Sequence, residues 1–301
     1  MREPLVVRML SDGLRLHLHD GPIDLIVEVF GTPSARTAAY EAAAQRFGSV
    51  LEELCGELPV LRDAATKPIN VNGVIAKRMA DAVAPFSKRC FITPMAAVAG
   101  AVAEEILHAM TSRADLARAY VNNGGDIAVH LADGERFTIG MIDRPDRPSL
   151  FGSLQVDSSQ LARGIATSGW RGRSFSLGIA DAVTILARTA SMADAAATIV
   201  ANAVDLPGHV AIARAPAREI APDSDLGGRL VTRGVGTLLP REIDTAIGSG
   251  IRVARELQIQ GLLSAAAIHL QGQTQILDAF ETTPSISMTT QTADARSAAH
   301  A

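Results

Sequence analysis

Residues 164–204 read GIATSGWRGRSFSLGIADAVTILARTASMADAAATIVANAV. The stretch opens on a small-residue, glycine-rich loop that carries two arginines. It continues into the apolar run Ala180–Ala187, which reads as a buried strand. Ala193–Val204 follows as a helix. A loop, a buried strand and a small-residue helix in this order suit a site for a phosphate-bearing ligand and a hard metal ion.

Asp194 and Thr198 are four residues apart, so they share one face of that helix. A carboxylate and a hydroxyl are the oxygen ligands that Mg²⁺ takes, usually together with waters or ligand phosphates. The other reading makes Asp194 a charge favoured near a helix N-terminus, with Thr198 packed. In the loop, Thr167, Ser168, Gly169, Arg171, Arg173 and Ser174 form a candidate ligand-binding set. Arginine grips phosphate through two parallel hydrogen bonds, and glycines let backbone amides approach an anion. The pattern matches no P-loop or dinucleotide fingerprint. Its alternative is a solvated turn with exposed arginines. Trp170, the only tryptophan, either stacks on a flat heterocycle or covers the edge of the core. Ser168 or Ser174 as a nucleophile needs a general base, and the sequence names none.

Working outward, Leu14–His19 alternates apolar and polar residues, Asp20-Gly21 marks a turn and Ile23–Phe30 is β-rich, which predicts a hairpin. Helices are predicted over Thr37–Leu54, ended by Gly56 and Pro59, and over Asn72–Val83. A third, Met95–Met110, starts after Pro94 and is nearly all small residues up to Ala103, leaving room for a backbone or a ligand. Glu104 and Glu105 open its solvated end. Tyr120–Leu131 reads as two strands around Asn122-Asn123-Gly124-Gly125-Asp126, which is either a hairpin turn or a ligand edge. Phe137–Ile142, Phe151–Val156 and Val210–Ala213 read as strands. Pro240–Leu257 reads as a helix interrupted by Gly248 and Gly250, and Ala267–Leu277 as one closing strand. Residues from Thr282 onward predict a disordered tail. Strands and helices mix without a regular βαβ rhythm, so the fold class is α+β, with antiparallel sheets packed by helices.

The chain has 301 residues, 48% hydrophobic, with a formal charge of −4. That length can bury a large core as one domain over 1–281, or as two halves. The acidic balance argues against a nucleic-acid partner. No apolar stretch reaches the ~20 residues of a membrane span, and the N-terminus lacks a signal-peptide pattern, so a cytoplasmic location is expected. Cys55 and Cys90 are read as buried, reduced thiols. His17 and His19 share a strand face but have no acidic or thiol partner nearby in sequence, and are not read as a metal site. His108, His130, His209 and His269 are assigned nothing.

Taken together, NNGGDI at 122–127, GIATSG at 164–169, ADAVTILA and ADAAATIVAN resemble the ApbE-like superfamily, best known for FAD:protein FMN transferases. PMAAVAGAVAE at 94–104 is similar to a sub-group of uncharacterised function. The resemblance implies a T-fold-like architecture, with Asp194 and Thr198 at the places of the Mg²⁺ ligands. It puts the loop 164–174 beside the nucleotide, with Gly124, Gly125, Asp126, Ala97 and Gly100 as further ligand-lining positions. It brings FAD or FMN as candidate cofactors and a homodimer as a plausible state. The chain departs from the transferases at two places. Ala99 stands at the position of a flavin-holding lysine, and Ser176 near that of a histidine. Three functions follow. The first is a binder, or a metabolic enzyme, for a small nucleotide, flavin or pterin-like ligand. The second is Mg²⁺-dependent FMN transfer, and the third is a non-catalytic assembly or sensor protein.

Overall fold

Leucine alternates with histidine along Leu16-His17-Leu18-His19, and the leucines are buried while the histidines face outward. The same period of two runs through Ile23–Phe30, so one face of this hairpin builds the core. The rest of the fold extends that face. A computed structural model describes residues 5–66, 68–142 and 150–277. Its elements are β1 (Val6–Met9), β2 (Leu16–Asp20), β3 (Ile23–Phe30), α1 (Pro33–Leu61), α2 (Val74–Val83), α3 (Val98–Arg113), β4 (Arg118–Asn123) and β5 (Asp126–Leu131). They continue with β6 (Arg136–Ile142), β7 (Leu150–Asp157), β8 (Gly164–Ser168), β9 (Ala182–Ala187), α4 (Ala190–Ala203), β10 (Ile212–Pro216), α5 (Ala217–Ile220) and β11 (Leu230–Val235). The last are α6 (Pro240–Ile259), β12 (Ala265–Leu270) and β13 (Gln273–Leu277).

Nine strands form one sheet in the order β1-β2-β3-β4-β5-β8-β9-β12-β13, and every neighbouring pair is antiparallel. The expected antiparallel α+β class is what the chain adopts. A hairpin, then helices, then a second hairpin occurs on either side of the β5–β8 junction. That junction is narrow, with Ile127 opposite Ile165 and Ala128 opposite Gly164. The helices cover one face of the sheet, and α4 lies at the centre, packed on β8, β9, α3 and α6. Seven of its residues are alanines, and six of them are fully buried. Such short side chains let four elements approach one helix.

Several boundaries differ from the sequence reading, each for a tertiary reason. α1 runs through Gly56 and Pro59 to Leu61, where Leu54 and Leu61 are both core residues. Burial there offsets the hydrogen bond that Pro59 cannot make. The expected third helix divides into a 3₁₀ turn over Pro94–Ala97 and α3. α6 is continuous, because Gly250 is a packing position: a Cβ there would press on Val204 and Ile268. The closing strand is a hairpin, turned by Gln271 and Gly272, both at positive φ. The Val210–Ala213 strand lies instead at β10, paired with β11, and Asn72–Val83 shortens to α2.

Three other expectations are corrected. Cys55 and Cys90 are exposed. Glu104 and Glu105 are held in an ion-pair network: Arg78 reaches Glu104 at 3.2 Å and Glu105 at 3.1 Å, and Arg46 reaches Glu105 at 2.8 Å. His17 and His19 do have an acidic partner, Asp24, set opposite by the β2–β3 register. The expected tail, 282–301, lies outside the described residues. No helix among the described residues is long and apolar enough to cross a membrane.

Candidate functional site

The site lies where the two hairpin–helix–hairpin halves meet, and it is built from four chain segments. The first is the β4–β5 turn. Gly124 and Gly125 both take positive φ, +67° and +112°, the backbone a tight two-residue hairpin demands. Gly125 donates its amide to Asn122 Oδ1 at 2.8 Å. This turn places Asp126 at the first position of β5, opposite Asn123. The Asn123 side chain donates to the Ala99 carbonyl at 3.2 Å, tying the turn to the start of α3.

The second and third segments are the N-termini of α3 and α4, which lock each other. Ala97 precedes α3 and cannot cap it with its side chain. Asp194, from α4, supplies the missing acceptor: its Oδ2 takes the Gly100 amide at 3.1 Å, and it also accepts from the Ala99 amide. In return Glu104, from α3, accepts the Ser191 amide at 2.6 Å and the Ser191 hydroxyl at 2.7 Å near the start of α4. Each carboxylate meets amides left unpaired at a helix N-terminus. The helices can come this close because Gly100 has no Cβ; one there would overlap the Ala190 carbonyl. Ala97 is fully buried. The small residues of 94–103 therefore admit a neighbouring helix.

The fourth segment is the loop after β8. Thr167 pairs its hydroxyl with Thr184 at 3.0 Å, and its amide donates to Asp126. Ser168 ends the strand, partly buried, and Gly169 packs on the carbonyls of Ala180 and Asp181. The two arginines have different fates. Arg171 pairs with the buried Asp181 at 2.6 Å and lies over the Trp170 ring at 4.3 Å. Asp181 also accepts from Trp170 Nε1 at 3.2 Å and from the Gln271 amide at 2.7 Å. Arg171 and Asp181 line a cleft of about 340 Å³ with His269 and Gln271. Arg173 is exposed and lies against Gly124, where any Cβ would collide with its guanidinium. Ser174, beside it, is exposed.

Asp126 and Asp194 thus come from opposite halves and face one another closely enough for their charges to repel. Burial pushes Asp126 up to about 7, against the pull of the Thr167 amide and the Arg173 charge. Burial and then the Asp126 charge push Asp194 well above the usual carboxylate range, against the Ala99 and Gly100 amides. Two carboxylates that resist ionising together are the arrangement that a shared proton or a bound cation relieves. Thr198 lies one turn beyond Asp194 on the same face of α4, partly exposed. The donor set is all oxygen.

A family model described as AbpE bacteria matches residues 7–276. The chain belongs to this family. A UPF0280 protein of Methanopyrus kandleri is 39% identical over 181 residues, which span 60% of this chain and 69% of that protein. UPF0280 proteins of Methanococcus vannielii and Methanothermobacter thermautotrophicus are 37% and 36% identical over 131 and 129 residues. Those matches cover 42% and 41% of this chain, and 50% and 47% of the relatives, so the chain spans about half of their length. Among solved structures, a histidine-to-glycine variant of the flavin transferase ApbE from Vibrio cholerae aligns over 91% of this chain and 97% of its own, at 10% identity and a TM-score of 0.43.

Within this AbpE chain, the two positions that depart from the transferase pattern are occupied structurally. Ala99 contributes backbone alone, through its amide and its carbonyl. Ser176 is buried, donating to Asn202 Oδ1 at 3.3 Å and accepting the Gly178 amide at 3.2 Å. From sequence alone Asp126 reads as ligand-lining and Asp194 as a metal ligand, and Asp181 carries no role. What would have singled out Asp181 is its place at the mouth of a buried strand, where a carboxylate needs partners.

Proposed function

We propose that this protein binds a small phosphate-bearing ligand, of the nucleotide, flavin or pterin-like kind, with a divalent cation at Asp126, Asp194 and Thr198. One observation carries the reading: two carboxylates from opposite halves crowd each other beside an exposed arginine. Mg²⁺ fits the donors, which are hard oxygens, and it commonly keeps open positions for waters and ligand phosphate. Bound there, it would neutralise the mutual repulsion and offer an electrophile to the phosphate. Arg173 supplies a second cation to the same anion. The loop amides of 169–174 and the Arg171 cleft frame the remainder of the ligand. FAD and FMN are the flavin probes to try first.

The test is a melting series of the whole chain with Mg²⁺ alone, with FMN, FAD or ATP alone, and with each pair. Mg²⁺ and a phosphate-bearing probe together are expected to raise the melting temperature by more than the sum of their separate effects. Asp194→Asn keeps an acceptor for the Ala99 and Gly100 amides but removes the charge, so it should stay folded and lose the Mg²⁺ response. A wild-type protein with no Mg²⁺-dependent shift, and with no small molecule released on denaturation and mass measurement, would sink the proposal. FMN transfer is the outcome to look for within it: a flavin covalently attached to a second protein after incubation with FAD and Mg²⁺.

A further inference from the structure

We infer that His17, His19 and Asp24 form a second metal site, for a divalent transition ion of the Zn²⁺ class, on the outer face of the N-terminal hairpin. His17 and His19 are two apart on β2, so both imidazoles leave the sheet on the face opposite the buried Leu16 and Leu18. Asp24 is the direct cross-strand partner of His19 on β3, and His17 pairs with Ile26, one step along. The carboxylate therefore lies between the two rings. Its Oδ1 is 3.0 Å from His17 Nε2, and its Oδ2 is 3.6 Å from His19 Nδ1. The ring centroids are 6.2 Å apart. One ligand atom from each residue lies within 4.8 Å of the others. Ligands at tetrahedral Zn²⁺ bond distances stand about 3.3 Å apart, so closing the site takes small side-chain rotations on a fixed backbone.

The chemistry separates this cluster from the carboxylate pair. Two imidazole nitrogens and one carboxylate oxygen suit Zn²⁺, whereas Mg²⁺ prefers an all-oxygen set. The side chains of His17, His19 and Asp24 are 14%, 27% and 43% exposed, which leaves an entry path and a fourth position for water or an incoming ligand. Arg8, across from His17 on β1, supplies a competing arrangement. Its Nε donates to His17 Nδ1 at 3.2 Å. A neutral imidazole that accepts at Nδ1 carries its proton on Nε2, and that proton faces Asp24. A metal on Nε2 requires the other tautomer, so binding must displace Arg8.

The experiment is a Zn²⁺ titration of the full chain by calorimetry, in buffer with excess Mg²⁺ to fill the other site, with Co²⁺ absorption as a geometric readout. One saturating equivalent is expected. His17→Ala and His19→Ala should each weaken it by more than the roughly 10–100-fold that losing an outer-shell partner costs. Arg8→Ala should tighten it, because the competing donor and a nearby positive charge are gone. Asp194→Asn should leave it unchanged. Absence of saturable Zn²⁺ binding overturns the inference. So does binding that survives the double histidine variant, weakens in Arg8→Ala or disappears in Asp194→Asn. Circular dichroism keeps these outcomes apart from misfolding, and Mg²⁺-dependent melting of the histidine variants shows whether the first site stands independently.

Discussion

At the scale of single residues, Asp126 carries the clearest consequence. An isolated aspartate has a value of 3.8, and burial among α3, α4 and β8 raises Asp126 to about 7. Below about pH 4 the folded and unfolded chains both hold this proton, so it costs nothing. Between about pH 4 and 7 the unfolded chain releases it while the folded chain keeps it, and stability falls as pH rises. Above about 7 the folded protein carries the full penalty of a charged, crowded carboxylate. Without divalent cation, wild type is therefore expected to lose melting temperature relative to Asp126→Asn as pH rises from 5 to 8, by a few degrees. Millimolar Mg²⁺ at pH 8 should narrow that gap. Parallel pH profiles for the two proteins would discredit this account of Asp126. The residue scale is also where the sequence was least legible. Gly124, Gly125 and Asp126 were recognisable as a turn with site potential, but nothing local could tell that the aspartate faces Asp194. Asp194 in turn reaches an amide 94 positions away, a contact that exists only once the two halves have met.

At the scale of elements, the mutual capping of α3 and α4 explains why the region tolerates so little bulk. Gly100→Ala would gain helix propensity, yet its methyl group must enter the Ala190 carbonyl, which is backbone and cannot swing aside. Overpacking of this kind costs about 1–3 kcal/mol, and the expected result is a lower melting temperature with a weaker Mg²⁺ response. Gly48 in α1 is the counter-case, with nothing within 4 Å of an added Cβ. Gly48→Ala should stabilise by about 0.5–1 kcal/mol. If the two substitutions moved stability in the same direction, the packing explanation would fail. Glu104→Ala should also destabilise, by about 1 kcal/mol or more, because it strips the Ser191 amide of its acceptor and leaves Arg78 with one fewer partner. Hairpins and α4 were readable from sequence because alternation and small-residue runs are local signals. The boundaries of α1, α6 and the β12–β13 hairpin were not, since Pro59, Gly250 and the Gln271-Gly272 turn take their meaning from what packs against them. β1, β8 and β11 are not legible either: β1 has only four residues, the glycine-led β8 reads as loop, and β11 buries the adjacent Val231 and Thr232 rather than alternate residues.

At the scale of the whole molecule, the question is whether two halves of like order behave as one. Their backbone junction at β5–β8 is narrow, which by itself would let them separate. Burial argues otherwise. One continuous apolar cluster runs from Leu16 and Leu25 in the first half, through Phe47, Ile75 and Ile106, to Ile185, Val200, Ile247 and Ile268 in the second. The carboxylate caps then cross the same boundary in both directions, Asp194 onto α3 and Glu104 onto α4. A chain of this length ordinarily populates intermediates on unfolding, so cooperative unfolding here is a sharp expectation. Trp170 is the only tryptophan and sits on the loop after β8, beside Arg171 and Asp181. Its fluorescence reports the second half, while far-ultraviolet circular dichroism is weighted by all the helices, including the long α1 of the first half. In a urea titration the two signals should share one midpoint and one slope. Gly100→Ala should move both midpoints together to lower urea. A tryptophan transition separated from the dichroism transition would mean that the halves unfold independently, and that the site between them can open while each half stays folded.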